Sequence, residues 1–230
     1  MTGELPAATR DGLDDLDLDP DPVGRGALYA AFATLVEEPS KDVHERLADG
    51  RFEQRLRALF DRTTLDVTVP EIRTDDDYDG LCARYNDCFQ LGYAEYEDRS
   101  DGTLSSSGPP VPIHESSYRD DAAWNDVNVD LTRAYDYFGV ETDADRRRHH
   151  DHARLELEFM GYLCRREAAV DPDVARARLD FADRHLHVLA TGMADAVATE
   201  PGTDVYEPLL TTLDELVDAD RRDLADRLDR

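Results

Sequence analysis

Apolar residues recur at spacings of three and four along most of this chain, a period that fits one face of an α-helix and not a pleated strand. From Arg25 the residues Leu28, Tyr29, Phe32, Leu35 and Val36 form the first such stripe. Pro39 predicts its end, because a residue before proline is pushed out of helical geometry. Val43 and Leu47, then Phe52, Leu56, Leu59 and Phe60, predict two short helices broken near Gly50, and an irregular segment with Pro70 follows. Tyr78, Leu81, Cys82, Tyr85, Cys88 and Phe89 mark the next helix. No run shows strand alternation, so the predicted class is all-α.

One long interruption divides these stripes. Residues 97–114 are rich in Ser, Gly, Pro and Asp, and Pro109, Pro110 and Pro112 stop any helix there. Beyond it run Trp124, Val127, Leu131, Tyr135 and Phe138, then Leu155, Phe159, Met160 and Leu163, with Gly139 and Pro172 as stops. Leu179, Ala182, Leu186, Leu189, Met193 and Val197 predict a longer helix closed by Pro201-Gly202, and Tyr206, Leu209, Leu213, Leu216 and Val217 a last one. The expected architecture is a single helical-bundle domain whose halves, about 24–96 and 115–230, are joined by the proline-rich loop 97–114. That loop leads directly into Glu115, Ser116, Ser117 and Tyr118.

Charge limits the partners. The chain has 53 acidic against 26 basic residues, a formal net charge of -27, and Lys41 is its only lysine. Self-repulsion on this scale opposes compaction unless concentrated salt screens it, so the fold is expected to weaken at low salt. The composition resembles that of proteins from halophilic archaea. It argues against nucleic acid as a partner, because a phosphate backbone would be repelled. Residues 1–23 mix Asp, Pro and Gly with few large apolar groups and read as a disordered acidic tail outside a domain of residues 24–230. The aspartates there lack the glycine and closing glutamate of a calcium loop.

Cys82, Cys88 and Cys164 are odd in number, form no C-x-x-C pair and fall inside apolar stripes, which predicts buried free thiols in a reducing compartment. The start of the chain has neither a basic nor an apolar leader region, and no later run is long enough to span a bilayer. The expected location is cytoplasmic, without membrane insertion.

The densest polar stretch is Arg146 to Met160, where Asp151 is placed to cap the following helix and His152 lies one turn before Glu156. Three readings stand open. A His/Glu pair at this spacing can ligate zinc, although zinc takes three or four ligands and no distant partner is marked. His150-Asp151 is also the dipeptide of HD-type metal-dependent phosphohydrolases, with His114 and Asp195 as further ligands. The third reading has Asp151 capping, His152 packing and Glu156 solvated or salt-bridged. Ser116 and Ser117 lack the elbow and strand of a serine hydrolase, and no Gly-rich phosphate loop accompanies the one lysine.

Four stretches nevertheless occur in a familiar order: Val111 to Arg119 (VPIHESSYR), Asp151 to Ala168 (DHARLELEFMGYLCRREA), Phe181 to Val197 (FADRHLHVLATGMADAV) and Val205 to Leu216 (VYEPLLTTLDEL). With ALYAAFATLVEEPS near the start and YNDCFQLG from Tyr85, they resemble successive motifs of the TorD/DmsD/NarJ family of molybdoenzyme maturation chaperones over about residues 25–217. One departure is that relatives often carry tryptophan where His185 and Leu186 are followed by Leu189. That leucine is expected in the core.

The resemblance implies a chaperone, not an enzyme, with no cofactor or metal of its own. Its implied partner is the N-terminal segment, often a twin-arginine signal peptide, of a molybdopterin-dependent oxidoreductase catalytic subunit, held until cofactor insertion. The residues implied in peptide binding are Glu115, Ser116, Tyr118, Asp151 and His152, and Glu156 is placed with them. A NarJ-like factor docked on an untranslocated reductase is the alternative within the family, and the HD-type phosphohydrolase the one outside it. Monomer and homodimer both stay open.

Elementary chemistry fits this role. Glu115 and Asp151 can accept paired hydrogen bonds from guanidinium groups while apolar stripes take the hydrophobic part of a peptide. Release of a client calls for affinity near ~1 μM, roughly 8 kcal/mol. The three prolines would then stiffen a crossover that brings Glu115–Tyr118 to a groove wall between the halves. A plain linker would instead leave Glu115 capping the helix from Trp124, with Tyr118 in the core. Trp124 itself is expected in the core.

Overall fold

The computed structural model describes residues 19–91, 108–119, 123–140, 149–169 and 173–229, together with the backbone of one short strand pair. Helix α1, Pro20–Leu35, is capped by Asp19, whose carboxylate accepts the Asp21 amide at 3.1 Å, and proline in the first turn has no N–H to leave unsatisfied. The fold therefore begins earlier than residue 24: residues 20–23 are the first turn of α1. The rest of the expected tail, residues 1–18, lies outside the described residues.

Helices α2 (Lys41–Ala48) and α3 (Arg51–Phe60) are separated at Gly50, whose φ of 74° is the left-handed conformation that glycine adopts without strain. Helix α4, Tyr78–Phe89, is capped by Asp77, which accepts from the Gly80 amide at 2.8 Å. Strand β1 (Ala94–Glu95), just before the segment expected to be irregular, pairs antiparallel with β2 (Ser105–Ser106) inside it. A 3₁₀ turn, Glu115–Tyr118, precedes α5 (Trp124–Tyr137) and α6 (Ala153–Ala169). The long C-terminal stripe is one continuous helical run: α7 (Val174–Phe181), a π-turn (Ala182–Leu186) and α8 (His187–Thr199). The wider turn shifts the helical phase, so that Phe181 before it, Ala182 and Leu186 at its ends, and Leu189 and Ala190 after it all face inward. Helix α9, Tyr206–Leu228, completes an all-α fold.

The two sequence halves do not form separate bundles. Helix α1 makes its most extensive contacts with α6, and one continuous core joins residues from Leu28 to Val217. The crossing is close because both helices present glycine: a β-carbon on Gly26 would stand 3.1 Å from the Gly161 carbonyl, and one on Gly161 would stand 3.1 Å from the Gly26 carbonyl.

A fully buried ionic cluster fixes this crossing to the C-terminus. Arg25 donates to Asp220 at 2.7 Å, Arg178 donates to both Asp220 and Glu167, and the Tyr29 hydroxyl donates to Asp220 at 2.7 Å. Burial alone would raise the Asp220 carboxyl, but Arg178 and Arg25 overcome it and hold that group below its usual range. The charged positions 25, 178 and 220 continue the apolar stripes of α1, α7 and α9, so these charges face inward and have to be paired.

Cys88 and Cys164 are buried free thiols, and burial raises them to about 11 and about 12. Cys82 departs from expectation, being half-buried with its sulfur 3.9 Å from the Pro39 carbonyl. Trp124 departs further: it is 48% exposed although it shares the helical spacing of the buried Val127 and Leu131, because it stands in the first turn of α5. Leu189 lies in the core as expected. Among the described residues no helix is long and apolar enough to cross a membrane.

Candidate functional site

The proline-led crossover is stitched into the fold at both ends. The Val111 amide donates to the Cys88 carbonyl at the end of α4, at 2.9 Å. Two further backbone bonds, Glu115 N–H to the Asp151 carbonyl and Ala153 N–H to the Ile113 carbonyl, each 2.9 Å, run the crossover antiparallel to the chain entering α6. His114 and His152 face each other across this bridge with ring centroids 5.3 Å apart. His149 continues the row, 5.5 Å from His114 and 5.1 Å from Trp124. Burial lowers the His114 titration, and Asp151 partly opposes that shift.

The six residues expected to bind peptide are brought together here, but three of them are fully buried. Glu115, Asp151 and Glu156 have no exposed surface. Asp151 does not cap α6: its Oδ2 accepts from the Ser116 amide at 3.3 Å and the Ser116 hydroxyl at 2.5 Å. At the start of α6 the His152 Nδ1 accepts the Arg154 amide at 3.1 Å. Tyr118 lays its ring on Gly192 of α8 and donates its hydroxyl to the Pro112 carbonyl at 2.7 Å. Glu115 caps nothing in α5. It accepts from Arg119 Nε at 2.5 Å through one oxygen and faces His185 Nδ1 at 3.0 Å through the other. Glu156 is neither solvated nor salt-bridged: both its oxygens are buried without a donor. Burial, and after it the charges of Glu115 and Asp151, raise its carboxyl well above the usual range.

The metal alternatives do not assemble. Among the described residues no group of three or more His, Cys, Asp or Glu is arranged to hold a metal ion. The His150 amide donates to Asn128, its carbonyl accepts from Tyr135, and Asp195 is exposed on α8.

From Glu115 the network runs outward to a groove that sequence reasoning missed. His185, on the π-turn, bridges Glu115 to Asp130 of α5, 3.1 Å from its Nε2. Arg184 also pairs with Asp130, and Arg119 donates to the Arg184 carbonyl within the π-turn. Between α5 and this turn lies a cavity of about 570 Å³ lined by Arg119, Asp126, Val129, Asp130, Arg133 and Asp183, with Arg184 and His185. A second of about 330 Å³ shares Asp130, Arg133, Arg184 and His185 and continues to Tyr137, Phe138, Phe159 and Phe181. Val129 and Tyr137 stand exposed on the same α5 face, 48% and 83% accessible. Apolar surface flanked by both signs of charge suits an amphipathic peptide segment. The sequence signal was available: Asn125, Val129, Arg133 and Tyr137 repeat every four residues, one face away from the core stripe.

The family model described as "Nitrate reductase delta subunit" matches residues 51–194. The chain belongs to that family. Among curated relatives, the selenate reductase assembly chaperone protein of Thauera selenatis is 33% identical over 124 residues, 51% of this chain and 63% of that one. The match thus spans less than two thirds of that relative's length. The chlorate reductase assembly chaperone protein of Ideonella dechloratans is 27% identical over 206 residues, 86% of this chain and 89% of its own. A crystal structure described as a redox enzyme maturation protein from Archaeoglobus fulgidus aligns over 84% of this chain and 93% of its own, with a TM-score of 0.49 and 14% identity.

Proposed function

We propose that this chain is a cytoplasmic maturation chaperone that binds the N-terminal segment of a molybdopterin-dependent oxidoreductase catalytic subunit until its cofactor is in place. The observation that carries the reading is family membership together with two relatives named as reductase assembly chaperones. It is a holding role, without catalysis. The client segment lies along α5, its apolar side chains on Val129 and Tyr137 and its charged groups among Asp126, Asp130, Arg133 and Asp183. Signal peptides with paired arginines suit the aspartates of this groove.

Glu115, Ser116, Tyr118, Asp151, His152 and Glu156 form the floor and the adjoining edge of the site. Glu115 acts through Arg119 and His185, which it holds in place, and not by touching the client. Ser116, Tyr118 and His152 are the half-buried members of the set and the ones able to meet a peptide directly, and replacing Asp151 and His152 with alanine is expected to weaken client capture while leaving helicity intact. The names of the relatives favour one second reading, an assembly factor docked on the folded or partly folded reductase. Purification of the tagged chain in multimolar salt, followed by mass spectrometry, tests the role. Recovery of a molybdopterin oxidoreductase catalytic subunit, lost when Val129→Glu is introduced, is the expected result. Recovery of that subunit that persists when its N-terminal segment has been deleted would favour the docking reading.

A further inference from the structure

We infer that Glu156 is carried as the neutral acid in the native protein and donates its proton to Glu115, which makes it a positioning residue for the groove above. Three carboxyl groups meet in this buried seam, and their surroundings assign the proton. Asp151 has no donor on Oδ1, but two donors of Ser116 converge on its Oδ2 and favour the ionised form, an assistance that Glu156 lacks on both oxygens. Glu115 has a cation on one oxygen, Arg119, and the His185 ring on the other. Glu156 has neither donor nor cation, and it is wholly buried. As two carboxylates, Glu156 and Glu115 could only accept, and their contact would be repulsive. With one proton between them it becomes a hydrogen bond that satisfies a buried group.

The groups facing Glu156 from the elements packed around it are Glu115 and Arg119 on the 3₁₀ turn, Asp151 before α6 and Tyr135 on α5. Arg119 is the one cation among them, and Glu115 already engages it. Burial first, and the two neighbouring acids second, therefore push the Glu156 carboxyl upward, well beyond the ordinary glutamate value of 4.5. Removing the proton would place a third negative charge beside Glu115 and displace it from Arg119 and His185, the two side chains through which it reaches the groove. Client capture should then weaken as pH rises. This last link rests on the groove being the client site, whereas the protonation does not.

The sign follows from linkage. A carboxyl raised in the folded state binds more protons folded than unfolded. Its contribution is complete below about pH 4.5 and is lost as pH climbs toward its own raised value. Glu156→Gln keeps the shape and a donor but cannot ionise. Unfolding measured against pH, wild type beside Glu156→Gln, should show the ratio of their unfolding constants changing tenfold per pH unit across that window, about 1.4 kcal/mol per unit. All other titrations are shared and cancel. Infrared spectroscopy of the wild type at about pH 6, where ordinary glutamates are ionised, should show a protonated-carboxyl band that shifts on ¹³C-glutamate labelling and is missing from Glu156→Gln. The labelled wild type supplies that reading even if the variant does not fold. Parallel unfolding curves, or no such band, would overturn the inference. If band and slope are present, a reductase N-terminal peptide should, at a pH above the end of the sloping window, bind the variant and bind the wild type at least tenfold more weakly. A peptide that binds neither protein at any pH refutes the groove reading and leaves the protonated Glu156 standing on the band and the slope.

Discussion

Replacing Gly192 with alanine should destabilise the protein by about 1–3 kcal/mol, although the same change in an open helix interior would stabilise it by about 1 kcal/mol. A β-carbon at this position would stand 2.4 Å from both Cγ and Cδ1 of the Tyr118 ring, where carbon atoms normally keep about 3.5–4 Å. The ring has to retreat by about an ångström. Tyr118 cannot do so freely, because its hydroxyl is held on the Pro112 carbonyl at 2.7 Å. Overpacking of this kind costs about 1–3 kcal/mol, and losing the hydrogen bond adds about 0.5–1.5 kcal/mol, from which the helix-propensity gain is to be subtracted. Urea unfolding in concentrated salt, followed by circular dichroism, gives the number. The same glycine should be replaced in a Tyr118→Ala background, where the ring is gone and alanine should become stabilising. A Gly192→Ala change that is harmless in the wild type, or has the same sign in both backgrounds, would refute the account of how the 3₁₀ turn is seated on α8.

Asp220→Asn removes the anion shared by Arg25 and Arg178 and should lower stability by about 3 kcal/mol in thermal unfolding, since two buried cations lose their common partner while Asp21 and Asp223 stay on Arg25 and Glu167 stays on Arg178. Because the Asp220 carboxyl is held below its usual 3.8, its contribution is present above that value and lost as pH falls through the lowered one. Wild type should therefore lose stability more steeply than Asp220→Asn in acid, a difference read from unfolding below about pH 4. With a formal net charge of -27, the midpoint of unfolding should rise with salt well beyond the range that saturates ordinary screening, and a midpoint independent of salt would contradict the charge argument. Val129→Glu, at an exposed position, should leave the unfolding midpoint within about 0.5 kcal/mol while weakening client capture at least tenfold.

Helix positions were legible because core stripes are periodic: the runs from Leu28, Val43, Phe52, Tyr78, Val127 and Leu155 each lie on a helix of the structure. The π-turn was hidden, since inserting one turn of wider pitch leaves a sequence that still reads as amphipathic. The ionic cluster escaped because Arg25, Arg178 and Asp220 look like ordinary surface charges unless their phase relative to the stripe is checked. At the candidate site, the motifs drew Glu115, Tyr118, Asp151 and His152 into one place, as the backbone bridge between residues 114 and 152 confirms. Motifs carry no burial, so Glu115 and Asp151 read as exposed acidic contacts when their oxygens already serve Arg119, His185 and Ser116. Trp124 was misjudged for a related reason, since it shares the helical spacing of Val127 and Leu131 but opens α5, where the His149 ring covers it only in part.

Trp124 is the only tryptophan and stands at the head of α5, so its emission offers an internal probe of that helix. The decisive measurement is a fluorescence titration in concentrated salt with a peptide of the N-terminal segment of the oxidoreductase subunit that co-purifies with this chain. Saturable one-to-one binding near ~1 μM, weakened at least tenfold by Val129→Glu, is the expected result. A peptide that fails to bind, or that binds the variant as tightly as the wild type, would contradict a client groove along α5.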